Sequence, residues 1–336
     1  PVFNQNIGSW SQHFNNNITR LGGMFLGAKS FNQNLDSWGP LLGNVVDISN
    51  MFGSASSFNN GESYGSSTAP MNTWNISSVN NIGGIFSYAD SFNQSLSDWG
   101  PQLGNITSTN SVFQNAVSFN QNLDSWGPYL SGVTSMRSML AGTSFNNGEP
   151  AGASSAPLTT WDVGNVKDMT LLFARAHKFN QSVNTWNVKQ VETLDRTFNE
   201  CLVYNQAVGN WELESITNLN ETFASCFVFN QPVDTWGPYL SSVTNMNSTF
   251  ANAGAFDQPL DDWNIRNVTT MQNFLSSIPG ISSQNYSDAL VSWSALPVQS
   301  NVRLDSYTTR LNTAAVNTAY NTLTNTYNWT INDLGV

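Results

Sequence analysis

The sequence is short of charge, and of positive charge above all. Charged residues make up only 10% of its 336 positions, with 11 Lys and Arg against 22 Asp and Glu, for a net charge of −11. Ordinary domains carry about a quarter charged residues. A chain this poor in Lys and Arg has no electrostatic means of gripping a phosphate backbone or an anionic lipid surface, so nucleic acid is excluded as a partner class. Two cysteines are too few for a disulfide scaffold or a zinc ribbon. Two histidines, His13 and His177, lie far apart and supply neither a metal cluster nor a Ser-His-Asp constellation, and no enzymatic role is expected. No apolar run approaches the ~20 residues needed to span a bilayer, so no membrane insertion is expected within this segment. The chain opens at Pro1, with no Met and no basic or signal-like stretch. It reads as a processed product or a fragment.

Aromatic and uncharged polar residues fill the gap. There are 20 Phe, 12 Trp and 9 Tyr, and hydrophobic residues reach 40%. Acidic disordered chains lack such aromatics; this one folds. Its aromatics recur. An aromatic residue stands at Phe3, Phe31, Phe58, Phe92, Phe119, Phe145, Phe179, Tyr204, Phe229 and Phe256, followed by Asn in every copy but the last, which has Asp257. A Trp follows seven positions later in eight copies, among them Trp10, Trp38, Trp186 and Trp263. Two copies are stretched, to Trp74 and Trp161, by similar insertions over 61–70 and 148–157 whose Gly, Pro and small residues mark surface loops. Copies with Trp-Gly-Pro carry about two extra residues over a basic period of 25. Trp38 and Trp126 are 88 apart, as if a three-module block had been duplicated.

Within a module, Val183, Trp186 and Val188 have the L-x-x-L-x-L spacing of leucine-rich repeats and predict a short strand. Val191, Leu194 and Phe198, at i, i+3 and i+7, predict a short helix. Such a helix is marginal alone, and no module buries its apolar face without neighbours. The expected fold is therefore an α/β repeat solenoid, leucine-rich-repeat-like, with one short strand and one short helix per ~25-residue module. Residues 1–274 would hold ten modules of ~25–36 residues and 275–336 a C-terminal α/β cap, with helices around Tyr286–Trp293 and 308–327 and a strand near Trp329. At ~4.8 Å per rung, ten modules span on the order of 50 Å.

With that module in hand, the chain resembles the BspA-like leucine-rich-repeat surface proteins, in particular the group whose repeat was first noted in mycoplasma lipoproteins. Phe31-Asn32-Gln33-Asn34-Leu35-Asp36-Ser37-Trp38, Trp161-Asp162-Val163-Gly164-Asn165-Val166 and the Met24-Phe25 and Met51-Phe52 steps carry the likeness. The resemblance implies an extracellular, cell-surface or virion-surface protein used in adhesion or partner contact. The Trp-Gly-Pro copies and the two insertions depart from the plain pattern.

The side chains on the open face next to the buried strand positions, Asp162, Asn187, Glu212 and Asn264, are the ligand-face candidates for a protein or glycan partner. The row formed by Asn32, Asn93, Asn120, Asn180, Asn205 and Asn230 is read as structural, because buried turns must satisfy their backbone groups. Cys201 and Cys226 stand one module apart, a separation that a disulfide tolerates, and are a candidate pair or two small buried residues. Asp36, Asp98, Asp124, Asp162, Asp234, Asp261, Asp262 and Glu212 form an acidic stripe, read as a solvated face with calcium as the alternative. No other cofactor is expected. The Trp row is read as core, not as a sugar-stacking platform. Ten Asn-x-Ser/Thr sequons match what chance gives in so Asn-rich a chain, and two, Asn93 and Asn180, fall in the Asn row. The leading functional expectation is an extracellular interaction module. The alternative is a structural subunit or spacer of a fibre, virion or surface layer, with copies of the chain itself as partner.

Overall fold

The computed structural model describes residues 2–14, 17–277 and 280–336. The chain packs as two compact units, Pro1–Val166 with Leu172–Gln181, and Lys167–Leu171 with Ser182–Val336. The boundary expected at 274–275 is not where they part. Backbone bonding runs through that point, with Asn252 N–H donating to the Ser276 carbonyl at 2.9 Å.

In the first unit, successive modules are joined by a ladder of a particular kind. The N–H groups of Leu21, Gly23, Phe25 and Gly27 donate to the carbonyls of Asp47, Ser49, Met51 and Gly53 in the next module, at 2.7–2.8 Å. The intervening Met24, Leu26 and Ala28 donate three residues back, at 3.0–3.2 Å. Ile48, Asn50, Phe52 and Ser54 repeat the pattern onto the module after. Isolated parallel bridges, Arg20 with Asp47 and Asp47 with Asn81, lie on this segment.

It is the segment whose spacing predicts a helix. No α-helix forms among the described residues of the modules, and the first in the chain is α1, Ser283–Ser294. The reason lies in every fourth residue. Asn50 and Ser54, Ser111 and Asn115, Arg196 and Glu200, and Ser248 and Asn252 all have φ between 52 and 60°. A left-handed residue breaks the i→i−4 series and turns alternate N–H groups sideways, toward the next rung. Two helical turns alone would gain few bonds against a costly nucleus; the ladder gives each released donor a partner. Buried side chains still recur at three to four positions, so Val191, Leu194 and Phe198 are all buried. The strand expected at Val183–Val188 is likewise a turn, closed by Trp186 N–H on the Val183 carbonyl at 3.1 Å.

The core is a set of stacked aromatic rows. In the first unit Phe25, Phe52, Phe86 and Phe113 lie 5.5–5.8 Å apart along one row. Each also stacks on the Phe of its own Phe-Asn step at 3.7–4.2 Å. In the second unit Phe198, Phe223 and Phe250 repeat the first row, and Tyr204, Phe229 and Phe256 the second. Each buried ring contributes about 2–3 kcal/mol by area and each close pair roughly 0.5–1.5 kcal/mol more. The indoles form a third row. Trp99 and Trp126 donate Nε1–H to the Met71 and Leu96 carbonyls, and Trp211, Trp236 and Trp263 to Val183, Val208 and Val233, at 2.9–3.1 Å.

The Trp-Gly-Pro copies turn the chain through short 3-10 segments, Gly39–Asn44, Ser97–Asn105, Gly127–Tyr129 and Asp234–Ser242. Their glycine is required by proximity. A Cβ on Gly237 would sit 2.1 Å from the Asp262 carbonyl oxygen, and one on Gly100 2.1 Å from that of Ser125.

Beyond the last module, β1 (Met271–Leu275), β2 (Arg303–Ser306) and β3 (Thr330–Asn332) form a parallel sheet in that order. They continue the rungs. α1 carries buried Tyr286, Leu290 and Trp293, and Trp293 Nε1–H donates to the Leu260 carbonyl at 3.1 Å, as a row indole does. α2 (Ala314–Asn321) packs on α1 and runs into a π turn over 322–326. Arg310 pairs with Asp333, both largely buried, and its guanidinium lies 3.8 Å over the Tyr320 ring.

Candidate interaction surface

The Asn row is a side-chain ladder. In the first unit the Oδ1 atoms of Asn4, Asn32, Asn59, Asn93, Asn120 and Asn146 each accept the backbone N–H of the next row Asn, ending at Asn180, at 2.7–2.9 Å. The following Gln adds a second bond to the same oxygen: Gln94 on Asn59 at 2.9 Å and Gln121 on Asn93 at 3.0 Å. In the second unit Asn205 receives Asn230 N–H at 3.0 Å, and Asn230 receives Asp257 N–H at 2.9 Å. Asp257 closes the row by accepting from Ser282 N–H and Asn285 Nδ2, just where α1 begins. One side-chain oxygen thus satisfies a turn N–H in the neighbouring rung, and an acceptor there is what each copy needs.

The two insertions share one folded form. Each grows from an Asn-Asn-Gly-Glu step whose two Asn are fully buried, Asn59-Asn60 and Asn146-Asn147. Asn60 accepts Leu35 N–H and donates to Asp36 and to the Ala69 carbonyl. Asn147 does the same with Leu123, Asp124 and Ala156. Buried Gln94 and Gln181 hold the far ends through Ala69 N–H and Ala156 N–H. These are surface loops with a buried polar root. The doubled Asn was visible in the sequence as the signal for it.

The ligand-face candidates separate. Asp162 lies in the first unit and is exposed; its Oδ1 accepts Gly164 N–H at 3.2 Å. Asn187 and Asn264, in the second, accept Lys189 N–H at 3.3 Å and Arg266 N–H at 3.5 Å in the same way. The residue after Trp therefore closes its own turn, a role of Asn and Asp that spacing alone did not assign. Asn187 and Glu212 line one shallow groove of about 260 Å³ with Asn184, Lys189 and Asn210. Asn264 lines another of about 470 Å³ with Asp234, Pro238 and Asp262. Lys189 bridges Glu212 at 2.6 Å and Glu214 at 2.9 Å, and these two bonds raise its pKa.

The acidic stripe does not converge. Among the described residues no three His, Cys, Asp or Glu side chains are placed to hold a metal ion. Asp36 and Asp124 accept amide donors from Asn34 and Asn60, and from Asn122 and Asn147. His13 and His177 are exposed. Cys201 and Cys226 are buried and are not joined in a disulfide. Cys226 donates to the Phe198 carbonyl at 2.9 Å, and burial pushes its thiol pKa up. Of the row sequons, Asn93 and Asn180 give Nδ2 to the Gly65 and Gly152 carbonyls.

Sequence reasoning passed over Phe227 and Val228. They precede the row step Phe229-Asn230 and are 52% and 44% exposed. It also passed over the bidentate pair of Arg196 with Glu221 at 2.8–2.9 Å.

Comparisons with curated proteins and with solved structures gave no match. A family model described as Mycoplasma protein of unknown function, DUF285, matches in four overlapping tandem segments, 1–68, 62–151, 149–241 and 207–317. These segments follow the repeats and cover most of the chain, which therefore belongs to the DUF285 repeat family.

Proposed function

We propose that the chain is a non-enzymatic interaction module of an extracellular, cell-surface or virion surface, built as a BspA-like, leucine-rich-repeat-like solenoid. One observation carries the reading. The residues that repeat, Phe, Trp, Asn and Gln, point inward and bond to neighbouring rungs, while the exposed grooves are lined by residues that differ between copies. The groove of Asn187, Lys189 and Glu212 is the clearest instance. A surface that varies over an invariant frame is how repeat proteins present partner sites, and the partner class is a protein or a glycan. Joint alanine substitution of Asp162, Asn187, Glu212 and Asn264 is expected to weaken adhesion of the purified chain to its target surface. Adhesion unchanged, with the fold intact, contradicts the reading.

A second reading, a spacer or subunit of an ordered assembly of copies, has one observation in its favour. Trp10 stacks on Trp38 at 6.5 Å yet is 45% exposed, an open aromatic face on which another module fits. Sedimentation is expected to show association that rises with concentration; a monomer throughout removes this reading.

A further inference from the structure

The first unit contains its own picture of what the Asn row binds. In each insertion, one row Asn holds both ends of a β-turn. Asn59 Nδ2 donates to the Ser63 and Ser66 carbonyls at 2.6 and 2.9 Å, and Asn146 Nδ2 to the Pro150 and Ala153 carbonyls at 2.5 and 3.0 Å. The turns are closed by Ser66 N–H on Ser63 and Ala153 N–H on Pro150, both at 3.1 Å. Their third residue is Gly65 or Gly152, with φ of 67 and 73°. The glycine carbonyl in turn accepts Nδ2 of the next row Asn, Asn93 or Asn180. A β-turn with glycine third, laid on the row, thus satisfies the carboxamide donors that the ladder itself leaves over.

The second unit has the row without an insertion. Asn230, partly exposed, uses its Oδ1 for Asp257 N–H and Gln258 Nε2, as Asn59 and Asn93 use theirs for the next Asn and Gln, but among the described residues its Nδ2 donates to nothing. Beside it the chain changes character. Where first-unit copies place Ser56-Ser57 or His177-Lys178 ahead of the row aromatic, this copy places exposed Phe227 and Val228. An open donor and an exposed apolar pair within three residues of it combine one orienting polar group with apolar surface, the combination that binding sites use.

We propose that the Asn230 edge of the second unit docks a glycine-containing β-turn of a partner polypeptide. The two end carbonyls of the turn accept from Asn230 Nδ2, and an apolar side chain of the partner covers Phe227 and Val228. This rests on the reading of the chain as an interaction module and names its partner class at one further place.

The probe is the insertion's own sequence, Gly61 to Pro70, as a fluorescein-labelled synthetic peptide titrated into the full chain and read by anisotropy. Saturable binding is expected. Asn230→Asp keeps the ladder oxygen, puts an acceptor in place of the donor and adds a negative charge; with an unchanged melting temperature it is expected to bind at least about tenfold more weakly. Phe227→Ser is expected to weaken binding too, and a peptide with Val in place of the turn glycine is expected not to bind. No saturable binding by the wild-type chain overturns the proposal, as does equal binding by Asn230→Asp, or saturation by a neutral oligosaccharide and not by the peptide. None of these results touches the four-residue alanine test, so failure here is distinguishable from failure of the broader reading.

Discussion

A left-handed backbone angle is tolerated by glycine and costs other residues roughly 1–2 kcal/mol. The ladder nevertheless places Ser54, Tyr88, Leu171 and Arg196 there, at φ of 56–60°. The bonds that each such turn releases to the next rung outweigh that cost, and part of it is recoverable. Ser54→Gly is expected to raise stability by about 0.5–1 kcal/mol in equilibrium denaturation. Gly142→Ala is expected to lower it by at least about 1 kcal/mol, because φ is 69° and the methyl would fall 2.1 Å from Asn115 Oδ1. Gains or losses reversed between the two would mean that the angles are not what limits these sites. The two buried thiols give a second residue-level test. Cys201 and Cys226 are fully buried, and a thiol buried in apolar surroundings is inert. Both are expected to resist a thiol reagent until denaturant is added; fast labelling of the native chain would contradict their burial.

At the scale of the element, the module is held by what it gives the next rung. Trp99 and Trp74 stack at 5.9 Å in adjacent modules, but only Trp99 has a partner for its indole N–H. Replacing either by Phe opens a similar space. Trp99→Phe is expected to be the more destabilising by about 1 kcal/mol, the net worth of one hydrogen bond, and equal losses would show that the bond contributes nothing. The Trp-Gly-Pro turn is a second such device. Gly237→Ala forces a methyl against the Asp262 backbone and is expected to cost about 1–3 kcal/mol. Much of this scale was legible in the sequence, since the buried aromatics, the indole row and the Asn row stand out as repeats. The helix was not. Side chains three and four apart share a face in a helix and also in a chain of turns with every fourth residue left-handed, and nothing about Leu171, Arg196 or Glu221 marks it for that angle. β2 was invisible for a different reason: Leu304 is the one apolar residue in Arg303–Ser306, and the buried Asp305 beside it is held by bonds from Asn332, Asn273 and Arg303, not by hydrophobicity.

At the scale of the whole molecule, charge is scarce, and where it is buried it is placed. Burial pushes the Asp305 carboxyl up, but bonds from Asn332 Nδ2, Asn273 N–H and Arg303 Nε outweigh it and hold the pKa below the usual value. A group so lowered stabilises the fold above the unfolded carboxylate range, near pH 4, and that contribution is lost as pH falls through the folded value. Asp305→Asn is expected to flatten the acid limb of the stability profile without shifting its neutral plateau downward by more than it flattens. Exposed repeats and interaction surfaces divided differently in what the sequence revealed. The frame was readable because it recurs along the chain; the apolar pair Phe227-Val228 has one counterpart, Leu202-Val203 a module earlier, too few copies to stand out as a periodicity. The repeated Asn serves the stack through its side-chain oxygen. Denaturation of Asn230→Ala and Asn230→Asp tests this most directly. The alanine leaves Asp257 N–H without its acceptor and takes from Gln258 Nε2 the shorter of its two bonds, leaving the one to the Asn230 carbonyl at 3.3 Å, and a loss of about 1–3 kcal/mol is predicted. The aspartate keeps an oxygen there, as Asp257 does for Ser282, and near wild-type stability is predicted. Equal stability of the alanine variant and the wild type would contradict the claim.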